Sequence, residues 1–102
     1  MSYTYLTLER AKKEVRKLQA YIQLVNYYEV DCTEKWVIKE YATCSSISKI
    51  IIKANKDGIV NNGFPLDKEF IVSVINGKPK DELHRIIRST YRKKIKKTQK
   101  TP

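Results

Sequence analysis

The sequence has few residues of the kinds that build catalytic, metal or disulfide-bonded sites. Its 102 residues include two cysteines, one histidine and three isolated glycines. The glycines form no phosphate-binding loop, and two cysteines and one histidine without close spacing do not form a zinc site. We expect the lone His84 to be a surface residue of a basic helix. The sequence therefore predicts no enzyme activity, no cofactor and no bound metal.

Disulfide bonds and membrane segments are also not expected. Cys32 and Cys44 flank a predicted helix whose twelve residues span roughly 18 Å, whereas the Cα atoms of a disulfide lie about 4.4–6.8 Å apart. We therefore expect free thiols in a reducing cytoplasm. The N-terminal residues MSYTYLTLER lack the apolar segment of a signal peptide, and no apolar run approaches the roughly 18 residues of a membrane span. We expect a cytoplasmic protein with no membrane partner and no small-molecule substrate.

Positive charge is concentrated at the C-terminal end of the chain. The formal net charge is +10, from 21 basic and 11 acidic residues. Residues 78–102 alone contain ten basic and two acidic residues. Such asymmetry favours a polyanionic partner, with nucleic acid first and an acidic membrane surface second. A solvated basic tail that only keeps the protein in solution is the alternative.

Hydrophobic periodicity predicts an all-α protein with one helical domain over residues 1–97. This domain is divided into a long helix at 7–29, a core of three short helices at 34–77 and a basic helix at 80–97. Residues 98–102 are expected to be a disordered tail. The chain length suits one small domain and not two.

The long helix carries apolar residues at alternating spacings of three and four, which is a short heptad pattern. This stripe either packs on its own domain or pairs with its copy in a homodimer. Both arrangements stay open, and a homodimer is the partner that we expect. The residues of the stripe are Leu8, Ala11, Val15, Leu18, Ile22 and Val25.

The core segment contains three short helical patterns. The first covers 34–43, with Trp36 as its main anchor. The second covers 46–57 and ends at Gly58, a typical C-terminal stop. Residues 59–66 are expected to form an irregular loop, with a small hairpin at the Asn-Gly dipeptide as the alternative. The third helix runs from a cap at Asp67 to about Asn76.

This layout is typical of a helix-turn-helix DNA-binding domain and allows two assignments of the recognition helix. In the first assignment, the helix at 34–43 supports and the helix at 46–57 enters the major groove. In the second, the helix at 34–43 is the first helix of the domain, the helix at 46–57 packs against the recognition helix and supports it, and the helix at 67–76 is the recognition helix that enters the groove. The outward residues of the first assignment are Ser48, Lys49, Ile52, Lys53 and Lys56. Those of the second are Lys68, Glu69, Val72, Ser73 and Asn76.

A resemblance favours the second assignment. The dipeptide Tyr41-Ala42, the run from Ser46 to Ile50 and the run from Ala54 to Ile59 resemble the first two helices of three-helical DNA-binding domains in bacterial and phage regulators and serine recombinases. In serine-recombinase DNA-binding segments an Asn near the helix end and a following Gly-Ile lead into a loop, after which comes a helix comparable to residues 72–75. The resemblance covers about 40 residues and implies only the three-helix arrangement, because the recombinase catalytic domain has no counterpart in this chain.

The basic helix supplies candidate phosphate contacts in either assignment. At about 100° per residue, four of its basic residues lie on one side of the helix, opposite an apolar face. Phosphate contacts add affinity without adding sequence specificity. These four residues are Arg85, Arg88, Arg92 and Lys96.

The sequence thus predicts a protein that binds double-stranded DNA. The expected functional class is a small transcriptional regulator or an accessory factor of a mobile element. The rival hypothesis is a non-enzymatic protein-interaction module, such as a phage or plasmid protein that binds a host factor. Membrane-surface binding by the last helix is less favoured, because its apolar face lacks Trp and Phe.

Overall fold

The structure, a computed structural model, describes residues 7–99. It is mainly helical, so the predicted all-α class is confirmed at that level. The only sheet among the described residues is a two-stranded antiparallel hairpin. In chain order the elements are α1 (Leu8–Asn26), α2 (Thr33–Cys44), α3 (Ile47–Asp57), β1 (Val60–Asn61), β2 (Phe64–Pro65), α4 (Lys68–Ile75) and α5 (Glu82–Gln99).

Local sequence signals determine where most helices begin and end. The hydroxyl of Ser46 accepts a hydrogen bond from the backbone N–H of Lys49 and caps the start of α3. Gly58 ends α3 in the left-handed conformation, with φ of 70°. At the C-terminal end, α5 continues to Gln99, so the helix enters the first two residues of the predicted tail. Residues 100–102 lie outside the described residues.

The segment between α3 and α4 forms a hairpin, so the expectation of an irregular loop is wrong. Val60 pairs with Pro65 and Asn61 with Phe64. The two loop residues, Asn62 and Gly63, both have positive φ, at 52° and 84°. A two-residue Asn-Gly loop of this kind matches the twist of antiparallel strands, which is why even two-residue strands pair here.

Helix α2 lies at the centre of the core and contacts α1, α3, α4 and α5. It contributes Val37, Ile38 and Tyr41, which are all buried. Trp36 is only half-buried and packs against the core from outside, so the buried residues of α2, and not Trp36, are its main anchor. The other buried side chains are Ile50, Ala54, Leu66, Ile71, Ile75, Leu83, His84 and Ile87.

Helix α1 packs on this core through its C-terminal half and through Tyr28, which follows the helix. The hydroxyl of Tyr21 donates to the carbonyl of Ala42 over 3.3 Å, and the hydroxyl of Tyr28 donates to Oδ2 of Asp81 over 2.7 Å. Burial, together with the bond to the Asp81 carboxylate, raises the pKa of Tyr28 above its ordinary value. No residue of α1 is buried, and from Leu8 to Ala20 only Ala11 is even half-buried.

Within residues 7–99, no helix is both long enough and apolar enough to cross a membrane. Cys32 and Cys44 are both free thiols, which confirms the prediction made from their separation.

Candidate nucleic-acid interface

Helix α4 has one face in the core and one face open to solvent. The Asp67 carboxylate accepts a hydrogen bond from the backbone N–H of Phe70 over 2.8 Å and so caps its N-terminus. Ile71 and Ile75 are completely buried and fix the rotation of the helix. The outward set of the second assignment consequently lies on the open face, with Lys68, Glu69, Ser73 and Asn76 exposed and Val72 half-buried.

The basic face of α5 lies beside the C-terminal end of α4. Leu83 and Ile87 anchor α5 in the core, and the ring of Tyr91 meets that of Tyr41 edge to face with centroids 6.1 Å apart. The anchored face leaves the four predicted phosphate-contacting residues on the other side of the helix. Arg85, Arg92 and Lys96 are exposed and Arg88 is half-buried.

Two of these arginines bind the end of α4. Nε of Arg92 donates to the side-chain oxygen Oδ1 of Asn76 over 2.7 Å, and Nε of Arg88 donates to the Asn76 backbone carbonyl over 3.3 Å. Positive charge at this position complements the partial negative charge of a helix C-terminus. The structure therefore brings together Asn76, Arg88 and Arg92. Lys96 lines a shallow groove with Asn76 and Arg92.

A second groove lies at the opposite end of α4. It is bounded by Lys68 of α4, by Ser48 of α3, and by Tyr91 and Lys94 of α5. Nζ of Lys94 donates to the carbonyl of Ser45, the C-cap of α2, over 2.8 Å. Sequence reasoning missed Lys94 because it lies outside the face shared by the four other basic residues. The groove has one outward residue from each of the two assignments, Ser48 and Lys68.

The lysines of the first assignment lie on another part of α3. Nζ of Lys53 forms a 2.7 Å ion pair with Oε1 of Glu40 in α2, and the hydrogen bond to that carboxylate raises the pKa of Lys53. The charge of Lys53 is thus largely compensated within the chain. Lys49 and Lys56 are exposed. The structure does not bring these three lysines to the surface formed by Asn76, Arg88 and Arg92.

Ser73 is exposed, but its hydroxyl already has a partner. It donates to the carbonyl of Phe70 over 2.6 Å within α4. Ser73 also lines a cavity on the other side of the helix, together with Tyr28 and Lys78. It lies at the edge of the open face and not beside the arginines of α5.

His84 is buried, with 3% exposure, so the expectation of a surface histidine is wrong. Its Nε2 lies 2.8 Å from the carbonyl of Val74 and 3.2 Å from that of Ile75, and its Nδ1 accepts the N–H of Lys80 over 3.3 Å. These partners require a neutral ring with its proton on Nε2. The signal in the sequence is spacing: His84 precedes Tyr91 by two helical turns and so shares its buried face.

Among the described residues, no cluster of three or more His, Cys, Asp or Glu side chains is placed to hold a metal ion. Comparison with known protein families, with curated proteins and with solved structures finds no match for this chain.

Proposed function

We propose that the chain binds double-stranded DNA, with the open face of α4 in the major groove and the basic face of α5 on the flanking phosphates. The proposal rests mainly on the contact between α4 and α5 at Asn76. There Asn76 accepts hydrogen bonds from both Arg88 and Arg92. A helix that presents its side chains to base edges needs a neighbouring cationic surface, because phosphate contacts fix its position on the duplex.

The chemistry of the open face suits such a role. Lys68 lies at its N-terminal end, next to the groove that Lys94 also lines. The methyl groups of Val72 can contact a thymine methyl, and the amide of Asn76 can bond to a base edge. Glu69 carries the one opposing charge on this face, and it is compatible with DNA where it accepts a bond from cytosine N4.

The ion pair between Lys53 and Glu40 favours α4 over α3 as the recognition helix. A lysine that contacts phosphate gains affinity by releasing condensed counterions. Lys53 is already paired with a carboxylate at 2.7 Å, so using it on DNA would first break that pair. We therefore propose the second assignment. In it α2 is the first helix of the domain, α3 supports the recognition helix, and α4 is the recognition helix that contacts the bases. The functional class is a small regulator or an accessory factor of a mobile element.

The test is fluorescence anisotropy on a labelled duplex of random sequence, titrated at several salt concentrations. Affinity should fall steeply with salt, since each phosphate contact contributes about 0.9 to the slope of log K against log salt. Arg85→Ala combined with Lys96→Ala should lower that slope by about two units. A matched variant that removes the same charge from α1, Lys13→Ala with Lys17→Ala, should leave the slope unchanged.

Equal effects of the two charge-removing variants would mean that net charge and not the α5 surface governs binding. No binding at low salt by the folded protein would overturn the proposal and favour the protein-interaction hypothesis. With a selected DNA site in hand, Asn76→Ala should relax sequence preference. If Lys49→Ala relaxes it and Asn76→Ala does not, α3 is the recognition helix.

A further inference from the structure

A line of large apolar side chains stays exposed along α1. Leu8 is 70% exposed, Val15 50%, Leu18 60% and Ile22 55%. They follow one another at intervals of seven, three and four residues. We refer to these four residues together with Ala11 as the α1 seam. Surface apolar residues are ordinary when scattered, but a line of this regularity on one helix marks an interaction surface.

The α1 seam is distinct from the side of α1 that packs on the core. Tyr21, Leu24, Val25 and Tyr28 are the residues that reach the core cluster. At about 100° per residue, the direction of these side chains differs from that of the seam by roughly 100° around the helix axis. Val25, the last residue of the heptad stripe, packs against the core, so the seam ends at Ile22. Packing on the core leaves the seam itself exposed.

The N-terminal half of α1 also has little to support it as a helix. Isolated helices shorter than about 12–15 residues are marginal in water, and most helices in proteins are stabilised by packing of an apolar face. From Leu8 to Ala20 this helix has no buried residue. A partner on the seam would supply the missing packing.

We propose that the α1 seam pairs with the same seam of a second copy of the chain, as a parallel, in-register, two-stranded coiled coil. In heptad terms Leu8, Val15 and Ile22 occupy position a, while Ala11 and Leu18 occupy position d. β-Branched residues at a combined with leucine at d favour the parallel two-stranded form. Two of the three a positions and one of the two d positions fit this pattern.

The residues that flank the seam fit a second copy as well. In a parallel pair each g residue faces the e residue of the next heptad on the other helix. Glu14 then faces Gln19 of the partner, and Thr7 faces Lys12 of the partner. No like charges oppose one another in this arrangement. The strongly basic positions, such as Lys13 and Lys17, point away from the partner at f and c.

The seam is short, so the dimer is expected to be weak. It covers a little over two heptads, and the interface lies at or below the low end of about 1,200 Å² that stable complexes bury. This estimate predicts a monomer–dimer equilibrium that depends on protein concentration. The proposal goes beyond DNA binding and does not rest on it.

The experiment is sedimentation equilibrium of the full chain without DNA, over a hundredfold range of concentration. The average mass should rise toward that of a dimer. Leu18→Asp should raise the dissociation constant at least tenfold, because a carboxylate would enter the apolar seam. Ile52→Asp is the matched control: Ile52 is 68% exposed on α3 and lies outside the seam, so it should leave the equilibrium unchanged. Far-ultraviolet circular dichroism verifies folding of both variants.

Orientation is tested by cross-linking. In a background of Cys32→Ser and Cys44→Ala, oxidation of Leu18→Cys should give a covalent dimer, since facing d positions in a parallel pair come within disulfide distance. A mixture of Leu8→Cys and Ile22→Cys chains should give no mixed dimer. A monomer at every concentration, an equal effect of Ile52→Asp, or efficient mixed cross-linking would overturn the proposal.

Discussion

The buried histidine gives the sharpest prediction about stability. His84→Leu keeps an apolar side chain of similar size in the core, but it removes every hydrogen bond of the ring. The carbonyls of Val74 and Ile75 and the N–H of Lys80 then lose their partner. A buried polar group left without a partner costs about 1–3 kcal/mol, and two of the three bonds are only partly buried.

The net effect follows from these opposing contributions. Loss of the hydrogen bonds of these three backbone groups should destabilise the folded state by roughly 3–4 kcal/mol, since solvent compensates partly for the two less buried groups. Burial of the more apolar leucine side chain should stabilise the folded state by about 1–2 kcal/mol. We expect His84→Leu to lower the free energy of unfolding by about 2 kcal/mol. That is a large share of the roughly 5–15 kcal/mol that stabilises a domain of this size.

Urea denaturation at a fixed protein concentration measures the change. With a slope of about 1–1.5 kcal/mol per molar urea, the midpoint should fall by about 1–2 M without a change in slope. Arg85→Leu introduces the same side chain at the adjacent exposed position and should stay within about 0.5 kcal/mol of the unmodified protein. If His84→Leu is as stable as Arg85→Leu, the hydrogen bonds of the ring do not stabilise the fold.

Two further predictions concern the contacts that join the helices. Asn76→Ala should lower the free energy of unfolding by about 1 kcal/mol. This loss should be smaller in a protein that already carries Arg92→Ala. Additive losses in this double-mutant cycle would rule out a coupling between the two side chains. The protein should also lose stability as pH rises above about 10, because the raised pKa of Tyr28 keeps its proton in the folded state while the unfolded chain releases it. Tyr28→Phe should flatten this decline in alkaline denaturation curves, and an unchanged decline would show that ionisation of Tyr28 does not drive it.

Much of the helical layout could be predicted because its signals are local. The apolar spacing around Ile50 and Ala54, the serine cap before them and Gly58 after them all lie within one turn of the elements that they define. The same holds for the open and buried faces of α4. The sequence predicts the hairpin only as the alternative to an irregular loop, because an Asn-Gly signal favours the turn but does not specify the pairing of such short strands.

The candidate site was harder to predict because its contacts depend on how helices pack. Arg88 and Arg92 can be placed on one face of α5 from spacing alone, and so predicted to contact phosphate. Their bonds to Asn76 depend on the approach of α4 to α5, which no local pattern specifies. His84 is similar, since the carbonyls that make its burial tolerable come from another helix. Lys94 reaches Ser45 across 49 positions of sequence.

The bond between Arg92 and Asn76 has a consequence for the kind of base that α4 would prefer under the proposed function. An asparagine that recognises adenine uses its carbonyl oxygen as acceptor and its amide as donor together. In this protein Oδ1 of Asn76 already accepts from Arg92, which occupies one of the two lone pairs of this oxygen and makes the amide N–H groups the more available half of the side chain. A donor alone selects edges rich in acceptors, and guanine presents two of them, N7 and O6, in the major groove. The arginine would in this way shift the preference of Asn76 from adenine toward guanine.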